Sequence, residues 1–316
     1  MKKRYFAFVF VILLFSLDFS LATSQVKSNN STLGLEVEPD KYIKTGIYVL
    51  NLGKFDVATG SFTADFYLSI QCEKLCPSLE FEFMNGRASS FEKIIDSPNE
   101  KFYRIQANLV SPIDLKKFPF DKQKMQIILE DKKKTIEELK FIPDIEKSGI
   151  DTSIGFVGWD IEPWNVSVKE HHYETYNETY SQYVFEIPIS RIKINSLFKT
   201  FLPVIFIVLV MISSFVLDPD KITTRFSMVS SALIASVMFH ISIANQLPPV
   251  GYLTFADKFM VLTYFIILLS FAFNVVLLEL NERKNEILVK KLHRATEFTV
   301  FLIVPILYLL LFLLAF

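Results

Sequence analysis

Four long apolar stretches fill the last third of the chain, and they constrain its fold more than any other feature. They are TFLPVIFIVLVMISSFVL (200–217), FSMVSSALIASVMFHISIANQL (226–247), FMVLTYFIILLSFAFNVVLLEL (259–280) and FTVFLIVPILYLLLFLLAF (298–316). Each is close to the roughly 20 residues that a helix needs to cross a bilayer. Only helices or closed barrels satisfy their backbone groups there, so 198–316 is expected to be a four-helix transmembrane bundle. The loops 218–225 and 281–297 hold Lys221, Arg225, Arg283, Lys284, Lys290, Lys291 and Arg294, whereas 248–258 holds only Lys258. Basic loops stay cytoplasmic, which puts residues 23–197 and the C-terminus outside.

The first 22 residues, MKKRYFAFVFVILLFSLDFSLA, have Lys2, Lys3 and Arg4 ahead of an apolar run and small residues at its close. That is the pattern of a secretory signal peptide, and Asp18 argues against a fifth span. Residues 23–197 then read as a domain in an oxidising, extracytoplasmic space at the cell membrane. TGIYVLNLGKFD, FTADFYLSIQ, FYRIQANLV, KMQIILED, WDIEPWNVSVKE and QYVFEIPISRIKI alternate apolar with polar residues or stay apolar over a strand's length. Turn clusters separate them, which predicts an antiparallel, Ig-like β-sandwich.

A formal net charge of −1 gives no reason to expect nucleic acid as a partner. No phosphate loop, nucleophile elbow or metal-ligand spacing occurs, so neither an enzyme nor a cofactor is expected. Cys72 and Cys76 are too few for a zinc site and suit a short disulfide-closed loop. Asn29, Asn30, Asn165 and Asn177 head N-x-Ser/Thr sequons.

The second span is the polar one. Ser227, Ser231, Ile234, Met238, Ile241 and Asn245 recur at spacings of 4, 3, 4, 3 and 4, which puts them on one helical face. A face that is small and polar at one end and apolar towards the other suits a water-filled pore whose apolar section can dewet. It equally suits a helix packed on its neighbours through serines. A pore lined by one span needs several copies of the chain.

SPIDLKKFPFDKQKM (111–125) places proline between two phenylalanines and follows them with aspartate. It resembles the signature loop of the pentameric ligand-gated ion channels, the Cys-loop receptor superfamily. Where animal members carry the two cysteines this chain has Ser111 and Met125, as in the prokaryotic branch. TGIYVLNLGKFD, GWDIEPW, ISR (189–191), Pro203 and LPPVGYLTFAD (247–257) resemble further family segments in the same order. The resemblance implies a homopentamer around a central pore that passes inorganic ions when a small extracellular ligand or protons bind. Pore-lining positions would be Thr223, Ser227, Ser231, Ile234, Met238, Ile241 and Asn245. Phe118, Pro119 and Phe120 would meet the loop bearing Pro248, Pro249 and Tyr252, while Asp121 would pair with Arg191 and Asp56 would join them.

Where cation-selective members carry a glutamate ring, this chain has Thr223 and Thr224 followed by Arg225, which resembles anion-selective members. Arg225 could instead anchor the helix at the membrane surface. Thr59 and Ser236 stand where proton-gated bacterial members carry a glutamate and a histidine, and His240 lies off the pore stripe. An aromatic cage for a cationic ligand would draw on Tyr173, Tyr176, Tyr180 and Tyr183, with Tyr103 and Trp164 across a subunit boundary. His171 and His172 read as solvated. The competing reading is a membrane-anchored ligand sensor without conduction.

Overall fold

The computed structural model describes residues 39–284 and 286–315. The expected signal peptide and the sequons at Asn29 and Asn30 lie outside the described residues. Among the described residues, eleven strands form two sheets. They are β1 (Tyr42–Leu52), β2 (Ser61–Gln71), β3 (Phe81–Phe83), β4 (Gly86–Asp96), β5 (Glu100–Val110), β6 (Lys122–Asp131), β7 (Lys140–Pro143), β8 (Gly149–Ile150), β9 (Trp159–Ile161), β10 (Asn165–Tyr173) and β11 (Glu178–Arg191). One sheet runs β4-β5-β2-β1-β7 with β8 also on β1, and the other runs β10-β11-β6-β3 with β9 on β11.

Pairing is antiparallel except where β7 and β8 run parallel to β1. Alternation explains the core. Tyr103, Ile105, Ala107 and Leu109 of β5 point inward, as do Met125, Ile127 and Leu129 of β6 and Phe185, Ile187 and Ile189 of β11. β4 departs from that rule: it is an edge strand and nearly all of it is exposed. Cys72 and Cys76 are bonded, with Cα atoms 5.2 Å apart.

Among the described residues four helices follow, each long and apolar enough to cross a membrane. They are α1 (Lys193–Ser213), α2 (Ile222–Ala244), α3 (Phe255–Glu282) and α4 (Glu286–Ala315). α1 and α4 both begin well before their apolar windows, because the charged residues ahead of each window continue the helix. Short 3₁₀ turns at Ser214–Val216 and Pro219–Lys221 join α1 to α2. The bundle core gathers Phe201, Val204, Met211, Phe215, Val229, Phe259 and Ile267. Thr254 starts α3 with a capping box: its hydroxyl oxygen accepts from Asp257 N, while Asp257 Oδ2 accepts from Thr254 N at 2.8 Å.

Candidate pore and gating interface

The loop between β5 and β6 reaches the bundle. Phe118 and Leu115 are buried in an apolar cluster with Ile243 and Ala256, against Leu247, Val250 and Tyr252. The backbone ties the contact twice. Ala256 N donates to Phe118 O at 3.0 Å, and Leu115 N donates to the Tyr252 hydroxyl at 2.9 Å. The Phe118–Pro119 peptide bond is cis. Phe120 goes elsewhere than expected. Instead of the 247–252 loop it meets the bundle, stacked on Phe201 at 5.7 Å and tilted against Phe255 and Phe312.

Asp121 is 1% exposed and receives Arg191 Nε at 2.6 Å. Its other oxygen accepts from Gln123 Nε2 at 2.7 Å, and Gln123 is itself buried and fixed to Asp114. The Arg191 guanidinium lies over two rings, Trp159 at 4.4 Å and Phe118 at 5.0 Å. A buried carboxylate with a charged partner, and a guanidinium held between aromatics, fix the last strand before α1 to the Phe-Pro-Phe-Asp turn. Asp56 does not join them. Its carboxylate accepts from Ala58 N at 3.0 Å and Thr59 Oγ1 at 2.8 Å inside its own loop, and those bonds hold it below the usual carboxylate range. The expected triad is therefore a pair, completed by Gln123 and Trp159. Gln123 lies inside SPIDLKKFPFDKQKM and Trp159 inside GWDIEPW.

α2 presents two unlike faces. Thr223, Ser227, Ser231, Ile234, Met238, Ile241 and Asn245 are all exposed. Ile222, Arg225, Val229, Ala232, Ser236 and Ile243 are buried. Arg225 is 0% exposed, with its guanidinium over the Phe215 ring at 5.1 Å. It therefore does not share the face of Thr223, and the anion-selective reading loses its residue. The exposed charges beside that end of α2 are Asp218, Asp220 and Lys221.

Ser236 is buried with its hydroxyl on Leu233 O. His240 is packed, its ring nitrogens 2.9 Å from the Tyr264 hydroxyl and 3.1 Å from Asp257 Oδ1, so it ties α2 to α3.

The expected aromatic cage divides. Tyr173 and Tyr180 meet edge to face at 5.6 Å, and Tyr176 is exposed at the β10–β11 turn. Tyr183 is 0% exposed, its ring against Phe141 inside the sandwich, and burial pushes its phenol up to about 12. It cannot contribute to a cage open to solvent, since alternation along β11 points it inward with Phe185. Tyr103 is likewise packed between Phe81 and Phe91, and Trp164 stacks on Phe185. Sequence reasoning missed Glu130, a buried carboxylate on β6. It accepts from the Tyr173 hydroxyl at 3.0 Å and Gln182 Nε2 at 3.2 Å, and lies 2.9 Å from His171 Nδ1. Desolvation, then the Glu130 bond, pushes Tyr173 up to about 12. His171 is thus a strand residue held by an acid.

A two-sheet sandwich whose Phe-Pro-Phe-Asp turn docks on four membrane-length helices is the arrangement that the resemblance to the pentameric ligand-gated ion channels implies. No family model matches the chain. It is similar to the Proton-gated ion channel of Gloeobacter violaceus, 23% identical over 248 residues that cover 70% of this chain and 68% of that protein. Fold and motif order agree with this likeness to an ion channel of that class.

Proposed function

We propose that the chain forms a homopentameric channel in the cell membrane, with the sandwich and C-terminus extracytoplasmic and α2 lining the pore. The observation that carries this reading is the exposed face of α2. Serines and an asparagine pointing out of a membrane bundle are costly against lipid and suit water or neighbouring copies. Ile234, Met238 and Ile241 supply an apolar section able to dewet.

A ligand that favours the open form shifts the equilibrium by its differential affinity alone. Tyr173 and Tyr180, with Glu130 beneath them, support a cationic ligand at the β10–β11 hairpin, where ring faces and a carboxylate both attract positive charge. The relative's name makes protons the second candidate. Asp121 and Arg191 would carry the change to α1, and Phe118 with Tyr252 to the loop after α2.

The test is voltage clamp of oocytes expressing the chain, with acid steps and an amine panel, and reversal potentials as external chloride is replaced. An evoked current establishes the channel, and its reversal reports the permeant ion. Silence with surface expression confirmed favours a non-conducting sensor.

A further inference from the structure

Arg225 poses an unanswered question. It is the largest fully buried side chain of the described residues, and none of its three guanidinium nitrogens has a hydrogen-bond partner. The Phe215 ring lies against it, 5.1 Å from the guanidinium carbon. A buried, unpaired charge is among the most costly features a fold can carry, and membrane helices resolve it by pairing across helices.

The neighbourhood contains a partner. α4 packs on both 3₁₀ turns that precede α2. Its buried residues Val289, Thr296, Val300 and Val304 define one face, and His293 and Glu297 stand on that face's margin by helical spacing. His293 Nδ1 is also buried without a partner. The carboxylate whose charge reaches the Arg225 guanidinium is Glu297, half-buried and outside ion-pair distance. Asp218 and Arg225 both act on His293.

The geometry points to Arg225 as a positioning residue of the pore helix, acting through Glu297. The two form an ion pair between α2 and α4 in one gating state, and the pair is parted in the state described here. The inference rests on the channel reading above. The least buried of the four helices would then bias the pore through one charge pair, and α2 could not shift relative to α4 without making or breaking it.

The test uses the full chain with Arg225→Gln, Glu297→Gln, the double variant, and Arg225→Lys, which keeps the charge. Two readouts are taken: thermal midpoint in detergent, and half-maximal activation in oocytes normalised to surface expression. In the state that forms the pair, Glu297→Gln strands the buried cation, so there it should lower the midpoint more than the double variant does. Each single neutralisation should shift half-maximal activation at least about fivefold, with the double variant non-additive and Arg225→Lys close to wild type. Asp218→Asn should show no coupling to Arg225. Additive effects in both readouts overturn the pair. Thermal coupling without a shift in activation overturns the positioning role. If Arg225→Gln does not fold, Glu297→Gln and Arg225→Lys still decide: no effect of the former overturns the proposal. The thermal readout needs no current, so failure of the pair and failure of the channel reading are told apart.

Discussion

Replacing Arg191 by methionine should cost far more than replacing Asp121 by asparagine, although both break the same pair. Asp121 is 1% exposed and Arg191 20% by side chain. Arg191→Met keeps much of the packing against Trp159 and Phe118 but leaves a buried carboxylate with only Gln123. Stranding a buried charge costs about 3–5 kcal/mol. Asp121→Asn leaves a cation that keeps two aromatic faces and some water, so the loss is about 1–3 kcal/mol, the range for a bond to a charged group. For a domain of this size the first change lowers the thermal midpoint by about 6–20 °C. The assay is thermal unfolding of the solubilised chain followed by tryptophan emission, because Trp159 is one of only two tryptophans and covers the Arg191 guanidinium. The double variant should be more stable than Arg191→Met alone, since no charge is stranded. Equal losses for the two single variants, or an additive double variant, would refute the reasoning.

Three further outcomes follow from other sites. The Arg104 bond beside Asp65 holds that carboxylate below its usual 3.8, so it stabilises the fold above the unfolded range and the contribution is lost as pH falls through the folded value. The midpoint gap between wild type and Asp65→Asn should therefore be widest near neutrality and close in acid. Converting Cys72 and Cys76 to serine should cost roughly 2 kcal/mol or less, the loop-entropy scale for so short a ring, as read by denaturant unfolding. Because Arg225 is buried and Asp220 exposed, Asp220→Asn should move the reversal potential, while Arg225→Lys should leave it unchanged.

The spans, the sandwich and the α2 stripe were legible because each follows a simple period enforced by burial. The buried side of α2 was equally readable. Arg225, Val229, Ala232 and Ser236 recur at 4, 3 and 4, opposite the stripe. Tyr183 shares inward parity with Phe185 and Ile187, so its burial was available in the same way. β4 was not legible: GRASSFEKIID is exposed on both faces and has no apolar alternation to read. Partner choice was the least legible of all. Nothing in a linear sequence says that Phe120 turns to Phe201 rather than to Tyr252, or that Asp56 spends its oxygens on Ala58 and Thr59.

The central claim is that the exposed face of α2 lines a water-filled path. Single cysteines at Ser231, Ile234 and Met238 on that face, and at Val229 and Ala232 on the buried face, can be challenged with a small charged thiol reagent during evoked current. The account predicts irreversible block at 231, 234 and 238 and none at 229 and 232. Block at the buried positions, or an evoked current indifferent to all five, would contradict it.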